Sequence, residues 1–323
     1  MPRSATDPPS KDFAVIHPLD PRDAEVAATI RALVSPTKGA PRGVEAREQF
    51  DALMESVSPR DDVTFEADTI GGIPGLWVNP KNLRFEGIIL HLHGGWFNFG
   101  TATAFRHLVG HIAGRVGARA FIPDYRLAPE HRFPAAVEDA LACYAGIGER
   151  GIRRVVLTGD SAGGNLALIL ASHVAGSAST KAALLGVATF SPVTDLTLSG
   201  VSYETRASAD PLFTRPQVAT LVHSYLGSAD PSHPLASPLH ARCFNIPPVL
   251  IHVGDDEVLL DDSLRYVERA AAAGVDARVD VWMGMPHGFV ASIGKLSSAA
   301  QALDSVGAFL SDRLRASEPM SPN

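Results

Sequence analysis

Six short runs of nearly uninterrupted apolar residues recur along the chain: IILHL at 88–92, AFIP at 120–123, RVVLT at 154–158, LLGVATF at 184–190, VLIHV at 249–253 and RVDVW at 278–282. A strand that alternates apolar and polar residues can leave one face in water, whereas a continuously apolar strand must be covered on both. Covering both faces takes a helix between nearly every pair of strands, which commits the chain to a wound α/β sheet. The intervening segments supply such helices. Phe105, Leu108, Val109, Ile112 and Val116 share one helical face, and Leu303, Val306, Leu310 and Leu314 share another. Ahead of these runs, VTFEA (63–67) and IPGLWV (73–78) flank the Gly71-Gly72 turn as a β-hairpin. Two hairpin strands and six parallel ones predict an eight-stranded, mostly parallel sheet flanked by helices.

At roughly 150 residues per domain, 323 residues allow two domains or one large α/β domain with an appendage. The longest interruption between strands, 191–247, contains its own amphipathic helix, with Val218, Leu221, Val222, Tyr225 and Leu226 on one face, and is read as a cap insertion. Two further one-faced helices, marked by Val26, Ile30 and Leu33 and by Phe50, Leu53, Met54 and Val57, need a surface to pack on. The expected organisation is an N-terminal segment with cap helices (1–60), a catalytic domain (61–316) and a tail (317–323). Residues 1–12 and the tail are expected to fray.

Lys and Arg total 28 against 35 Asp and Glu, a net charge of -7, so no basic field exists to hold a nucleic acid. No apolar run approaches the ~20 residues needed to span a bilayer, and residues 1–19 lack the layout of a secretion signal, so a cytoplasmic protein without a membrane partner is expected. Cys143 and Cys243 form no CxxC and no Cys/His spacing, so neither a disulfide framework nor a zinc site is expected.

The sharpest chemical signal is Gly159-Asp160-Ser161-Ala162-Gly163, a G-x-S-x-G set directly after RVVLT and before the apolar NLALILA. A strand-to-helix turn this tight exposes the central hydroxyl, and the following helix aims unsatisfied N–H groups at the same place. A serine hydroxyl is a poor nucleophile near neutral pH and needs a base, itself oriented by a carboxylate. Of the downstream histidines, His287 in Gly284-Met285-Pro286-His287-Gly288 lies just beyond the last strand and is the favoured base. His252 lies inside a strand and is read as a core or supporting group. His173 and His223 fall on helices. The acid should follow VLIHV, where Asp255, Asp256 and Glu257 all qualify; Asp261 and Asp262 fit the start of the next helix, as capping carboxylates. Oxyanion donors are expected after IILHL, where His93-Gly94-Gly95-Trp96-Phe97 brings two adjacent glycines to the carboxyl edge of the sheet.

With these loops placed, the chain resembles the α/β-hydrolase fold, and within it the bacterial hormone-sensitive-lipase-like carboxylesterases. The likeness spans residues 63–314. It rests on His93-Gly94-Gly95-Trp96 against the HGGG oxyanion motif, on Asp124-Tyr125-Arg126-Leu127-Ala128-Pro129-Glu130, and on GDSAGGN from Gly159 to Asn165. The resemblance implies Ser161 as nucleophile, His287 as base, and Gly94, Gly95 and Ala162 as oxyanion donors. Aligning the family's leucine on Leu259 implies Glu257 as the acid, with Asp262 as the closing aspartate. Trp96 stands where the family has a third glycine. Its indole, with Phe97, is expected either to narrow the substrate pocket or to pack outward against the cap.

The expected function is hydrolysis of short- to medium-chain carboxylic esters through an acyl-enzyme, on a small-molecule substrate and without a cofactor. Homodimers are expected from the family. The alternatives are a non-catalytic ligand receptor on the same fold, or an amide, carbamate or acetyl-sugar hydrolase with the same triad. A metal hydrolase fits poorly: His107 and His111 stand at i, i+4 without the glutamate of HExxH, and His91 and His93 belong beside the oxyanion glycines.

Overall fold

In the computed structural model, residues 13–40, 42–177 and 180–316 are described. The expected fraying of 1–12 and 317–323 lies outside these residues. Nine strands form one sheet: β1 (Ala14–His17), β2 (Val63–Ile70), β3 (Ile73–Pro80), β4 (Ile88–Leu92), β5 (Arg119–Pro123), β6 (Arg154–Asp160), β7 (Ala183–Phe190), β8 (Val249–Asp256) and β9 (Ala277–Pro286). Their order is β1-β9-β8-β7-β6-β4-β5-β3-β2, with β2 antiparallel to β3, β3 antiparallel to β5 and every other pairing parallel.

The eight expected strands all form, and the count is corrected to nine by β1. Its four residues pair with β9 from Ala14↔Val279 to His17↔Trp282. Val15 and Ile16 stay partly exposed on this edge. Four residues carry no usable period, so pairing with a strand some 260 positions away is what makes them a strand.

The helices divide between the two faces as the apolar runs require. On one side lie α3 (Ala102–Val116) and α9 (Ser297–Ala316); on the other lie α4 (Ala135–Glu149), α5 (Ala162–Ala175) and α8 (Leu260–Ala272). Strand side chains alternate between them. Ile88, Leu90 and Leu92 of β4 join the second core while Ile89 joins the first, and Val155 and Leu157 of β6 oppose Val156 in the same way. Each such side chain contributes about 1.5–3 kcal/mol by leaving water.

Two further helices, α1 (Pro21–Val34) and α2 (Arg47–Glu55), lie between β1 and β2, and α6 (Ser202–Thr205) and α7 (Arg215–Leu226) lie between β7 and β8. The face of α7 read from sequence is buried throughout. The stripes of α1 and α2 are covered only in part: Val26, Ile30, Phe50 and Met54 pack against the core, whereas Leu33 and Leu53 are exposed. The N-terminal segment reaches the β7–β8 insertion through polar bonds. Lys38 Nζ donates to the carbonyls of Ala207 and Asp210, Gln217 Nε2 to that of Ala40, and Arg31 to that of Ala209.

Candidate active site

Strand register brings the functional loops to one edge. The chain passes from β4 to β5 and then to β6 on the opposite side of β4, so the carboxyl end of β4 faces a crevice where the winding reverses. There Leu92 of β4 is level with Gly159 of β6, which sets the glycine loop beside Ser161. Asp160 is level with Phe190, Phe190 with His252, and Asp256 with Pro286. Ser161, Ser191, Glu257 and His287 are each the residue that follows one of those strand ends.

Ser161 has φ 53° and ψ -118°, a conformation that costs a non-glycine residue on the order of 1–3 kcal/mol and persists only where its surroundings enforce it. Its N–H donates to Phe190 O (2.8 Å), and its carbonyl accepts from Val193 and Asn165 N–H (3.1 Å each). A Cβ added to Gly163 would lie 1.9 Å from Leu92 O, so the elbow requires glycine there for close approach of helix and strand. Asn165, inside the same helix, donates to the carbonyls of Val193 and Ala236 and ties both ends of the insertion to the elbow.

His287 Nδ1 and Glu257 Oε2 are 2.8 Å apart. Glu257 is wholly buried, and its other oxygen accepts from Ser191 Oγ–H (2.6 Å) and Gly254 N–H (2.7 Å). Burial alone would push the His287 imidazole down. The Glu257 charge and hydrogen bond outweigh that burial, with additions from Asp210 and Asp160, and hold its pKa above the ordinary histidine value. Ser191 escaped the sequence reading, although a polar residue one step past a parallel strand is itself a signal. Its φ of 45° turns the hydroxyl to Glu257.

The other carboxylates left open in the sequence are occupied elsewhere. Asp255 accepts from Gly284 N–H, and Asp256 pairs with Arg31 at the surface. Asp261 and Asp262 stand in the first turn of α8, but they do not cap it. Asp261 accepts from Ser202 N–H, and buried Asp262 from Thr194 and Asp195 N–H, which joins the helix to the start of the insertion. Burial raises the Asp262 carboxyl to about 7.

The oxyanion loop departs from expectation at Gly94. Its N–H donates to Asp160 Oδ1 (3.0 Å), and a Cβ there would meet Asp160 Oδ2 at 2.1 Å. Gly94 is therefore a packing position with its donor already taken, whereas the N–H groups of Gly95, Trp96 and Ala162 have no partner among the described residues. Trp96 and Phe97 both take positive φ, 51° and 61°, despite their side chains. The buried Trp96 ring meets Phe213 edge-on (5.5 Å between centroids), and Phe213 meets His287 in the same way (5.2 Å). Phe97 instead stacks on Tyr225 of α7 at 3.8 Å and anchors the loop to the insertion.

His91, His93, His111 and His252 each have a structural partner, whereas the buried Nδ1 of His107 has no hydrogen-bond partner among the described residues. His93 stacks on Tyr125, whose hydroxyl donates to His93 O; His91 Nδ1 lies 2.9 Å from Thr158 Oγ1; and His111 Nε2 bonds Ser58 O. His252 accepts from Trp282 Nε1–H, and burial lowers its pKa to about 3. Among the described residues no three His, Cys, Asp or Glu side chains are grouped to hold a metal ion, and no helix is long and apolar enough to cross a membrane. Both cysteines are buried free thiols.

A profile of the α/β-hydrolase fold matches residues 89–291. An acetyl-hydrolase of Streptomyces hygroscopicus is 37% identical over 270 residues, which cover 82% of this chain and 86% of that protein. An esterase of Acinetobacter venetianus is 32% identical over 266 residues, 81% of this chain and 87% of its own length. The crystal structure of an esterase from the bacterial hormone-sensitive lipase family superposes with a TM-score of 0.83 at 34% identity, covering 92% of this chain and 99% of that one. With the elbow, the glycine loop and the His287–Glu257 pair on adjoining strand ends, the chain belongs to the α/β-hydrolase fold family, among the bacterial hormone-sensitive-lipase-like members.

Proposed function

We propose that the protein is a serine carboxylesterase that hydrolyses esters of short to medium acyl chain through an acyl-enzyme. The observation that carries this reading is the His287–Glu257 bond of 2.8 Å at the strand edge that also bears Ser161. In this mechanism Ser161 Oγ attacks the ester carbonyl while His287 takes its proton, and Glu257 holds the imidazole with Nδ1 protonated so that Nε2 is the basic nitrogen. The N–H groups of Gly95, Trp96 and Ala162 receive the developing oxyanion, aided by the positive end of α5. His287 then protonates the departing alcohol, and water repeats the sequence on the acyl-enzyme. No step calls for a cofactor.

The cap is proposed to comprise the N-terminal helices and the 191–247 insertion; the bonds of Arg31 and Lys38 to residues 207–210 and the contact of Phe213 with His287 support it. Trp96, rather than Phe97, is proposed as the pocket wall, because its ring adjoins Phe213 and its buried Nε1–H has no partner among the described residues. The name of the acetyl-hydrolase relative fits a small acyl group. A cytoplasmic location and a homodimer complete the proposal, checked by fractionation and sedimentation.

A rate series on aryl esters of two to sixteen carbons tests the function. Activity is expected at the short end, abolished by an organophosphate and indifferent to EDTA; no turnover at any length would retire the esterase reading. The acid limb gives a second check. The base must be unprotonated to act, and its pKa is raised, so kcat/KM should fall with pH through a midpoint above about 6.5. A midpoint below that value would contradict the ion pair. Trp96→Gly relieves a positive φ worth about 1–3 kcal/mol but removes a buried indole worth about 3–5 kcal/mol. We expect a lower Tm together with a several-fold shift of preference toward longer acyl chains; an unchanged chain-length profile would remove Trp96 from the pocket.

A further inference from the structure

We propose that Asp210 is a positioning residue for the base–acid pair, linking the insertion to the backbone that bears Glu257. The proposal rests on the serine-hydrolase reading above. Asp210 is wholly buried, a costly place for a carboxylate unless its lone pairs are engaged. Three N–H groups engage them. Oδ1 accepts from Leu212 (2.7 Å) and Phe213 (2.9 Å), and Oδ2 accepts from Val258 (2.9 Å), the residue after Glu257 and 48 positions away.

Each bond has a consequence at His287. The pair to Leu212 and Phe213 closes an Asx-type turn that aims Phe213, whose ring edge meets the imidazole. The bond to Val258 fixes the far side of the Glu257 peptide, while Ser191 and Gly254 hold the side chain itself. The backbone of Asp210 is in turn pinned from outside: Lys38 donates to its carbonyl, and Arg31 spans the Ala209 carbonyl and the Asp256 carboxylate. A turn alone needs no buried charge, since an uncharged asparagine, serine or threonine side chain can close one. A buried anion near His287 does something a turn cannot: it favours the imidazolium that forms when Ser161 gives up its proton. Burial raises the Asp210 carboxyl, and its three N–H donors oppose that rise; Glu257, Asp210 and Asp160 in turn raise the His287 pKa against its own burial.

Two variants of the full chain, assayed on a short aryl ester with rates normalised to organophosphate-titrated sites, test the assignment. Asp210→Asn removes the charge and, with its oxygen held by the Leu212 and Phe213 N–H groups, sets an NH₂ against the Val258 N–H; Asp210→Ser keeps an oxygen for the turn but cannot reach Val258. For Asp210→Asn we expect kcat to fall about 10- to 100-fold with KM within about threefold, as for loss of one member of a coupled polar network. The acid limb of kcat/KM should also move down by about half a pH unit, because a negative charge near the base is gone. Asp210→Ser should lose kcat similarly. If the limb stays in place, or kcat holds within about twofold, the assignment is wrong. It is equally wrong if neither variant yields folded protein by circular dichroism, since Asp210 would then serve the fold alone. A wild-type chain that hydrolyses no ester would instead overturn the serine-hydrolase reading.

Discussion

Ser161→Ala should lower kcat on a short aryl ester by about 10⁵-fold or more, since removing the nucleophile leaves only what the oxyanion donors and binding supply. Stability should barely move, by about 0.5 kcal/mol or less. The reason lies in how the elbow is held. Every bond that enforces the strained turn is made by the Ser161 backbone, to Phe190, Val193 and Asn165, and the substitution touches none of them. Thermal unfolding and organophosphate labelling of the purified variant therefore separate chemistry from folding. Activity within tenfold of wild type in a well-folded Ser161→Ala protein would mean that another group attacks the ester.

Glu257→Gln should cost about 10³- to 10⁴-fold in kcat, close to the loss seen when a triad carboxylate becomes an amide. Two donors, Ser191 Oγ–H and Gly254 N–H, already hold Oε1. The amide oxygen must take that position, which turns the NH₂ toward His287 Nδ1. The imidazole then accepts at Nδ1 and carries its proton on Nε2, the tautomer that cannot take the serine proton. Asp256→Asn removes only the partly exposed Arg31 pair, worth about 1 kcal/mol or less, and should leave kcat within about threefold. The reverse ranking of these two variants would move the acid to Asp256.

Much of this site is written in strand ends. Parallel strands buried on both faces are continuous apolar runs, and their carboxyl edges locate the loops, so Ser161, His287 and the 93–97 turn follow from position alone. The choice among Asp255, Asp256 and Glu257 does not. Three consecutive carboxylates differ only in which way the chain turns after β8, where the β8–β9 register shifts between Gly254 and Asp256. That irregularity sends Glu257 inward to His287 and leaves Asp256 at the surface with Arg31.

Gly94 shows the same limit from the other side. Two adjacent glycines announce a close approach but not what approaches, and the neighbour of Gly94 is the Asp160 carboxylate rather than an open space for substrate. β1, Ser191 and Asp210 were hidden for a common reason: each acts through a partner far along the chain, on β9, Glu257 and Val258 respectively. The sequence by itself determined the wound sheet, the elbow and the placing of Ser161 and His287 at strand ends, because burial periodicity and turn sterics are local and repeat wherever the same residues occur. Only the tertiary structure decided the ninth strand, which carboxylate meets His287 and which N–H groups have no partner among the described residues, because hydrogen bonds are directional, each donor is spent once, and its partner is set by register rather than by sequence distance.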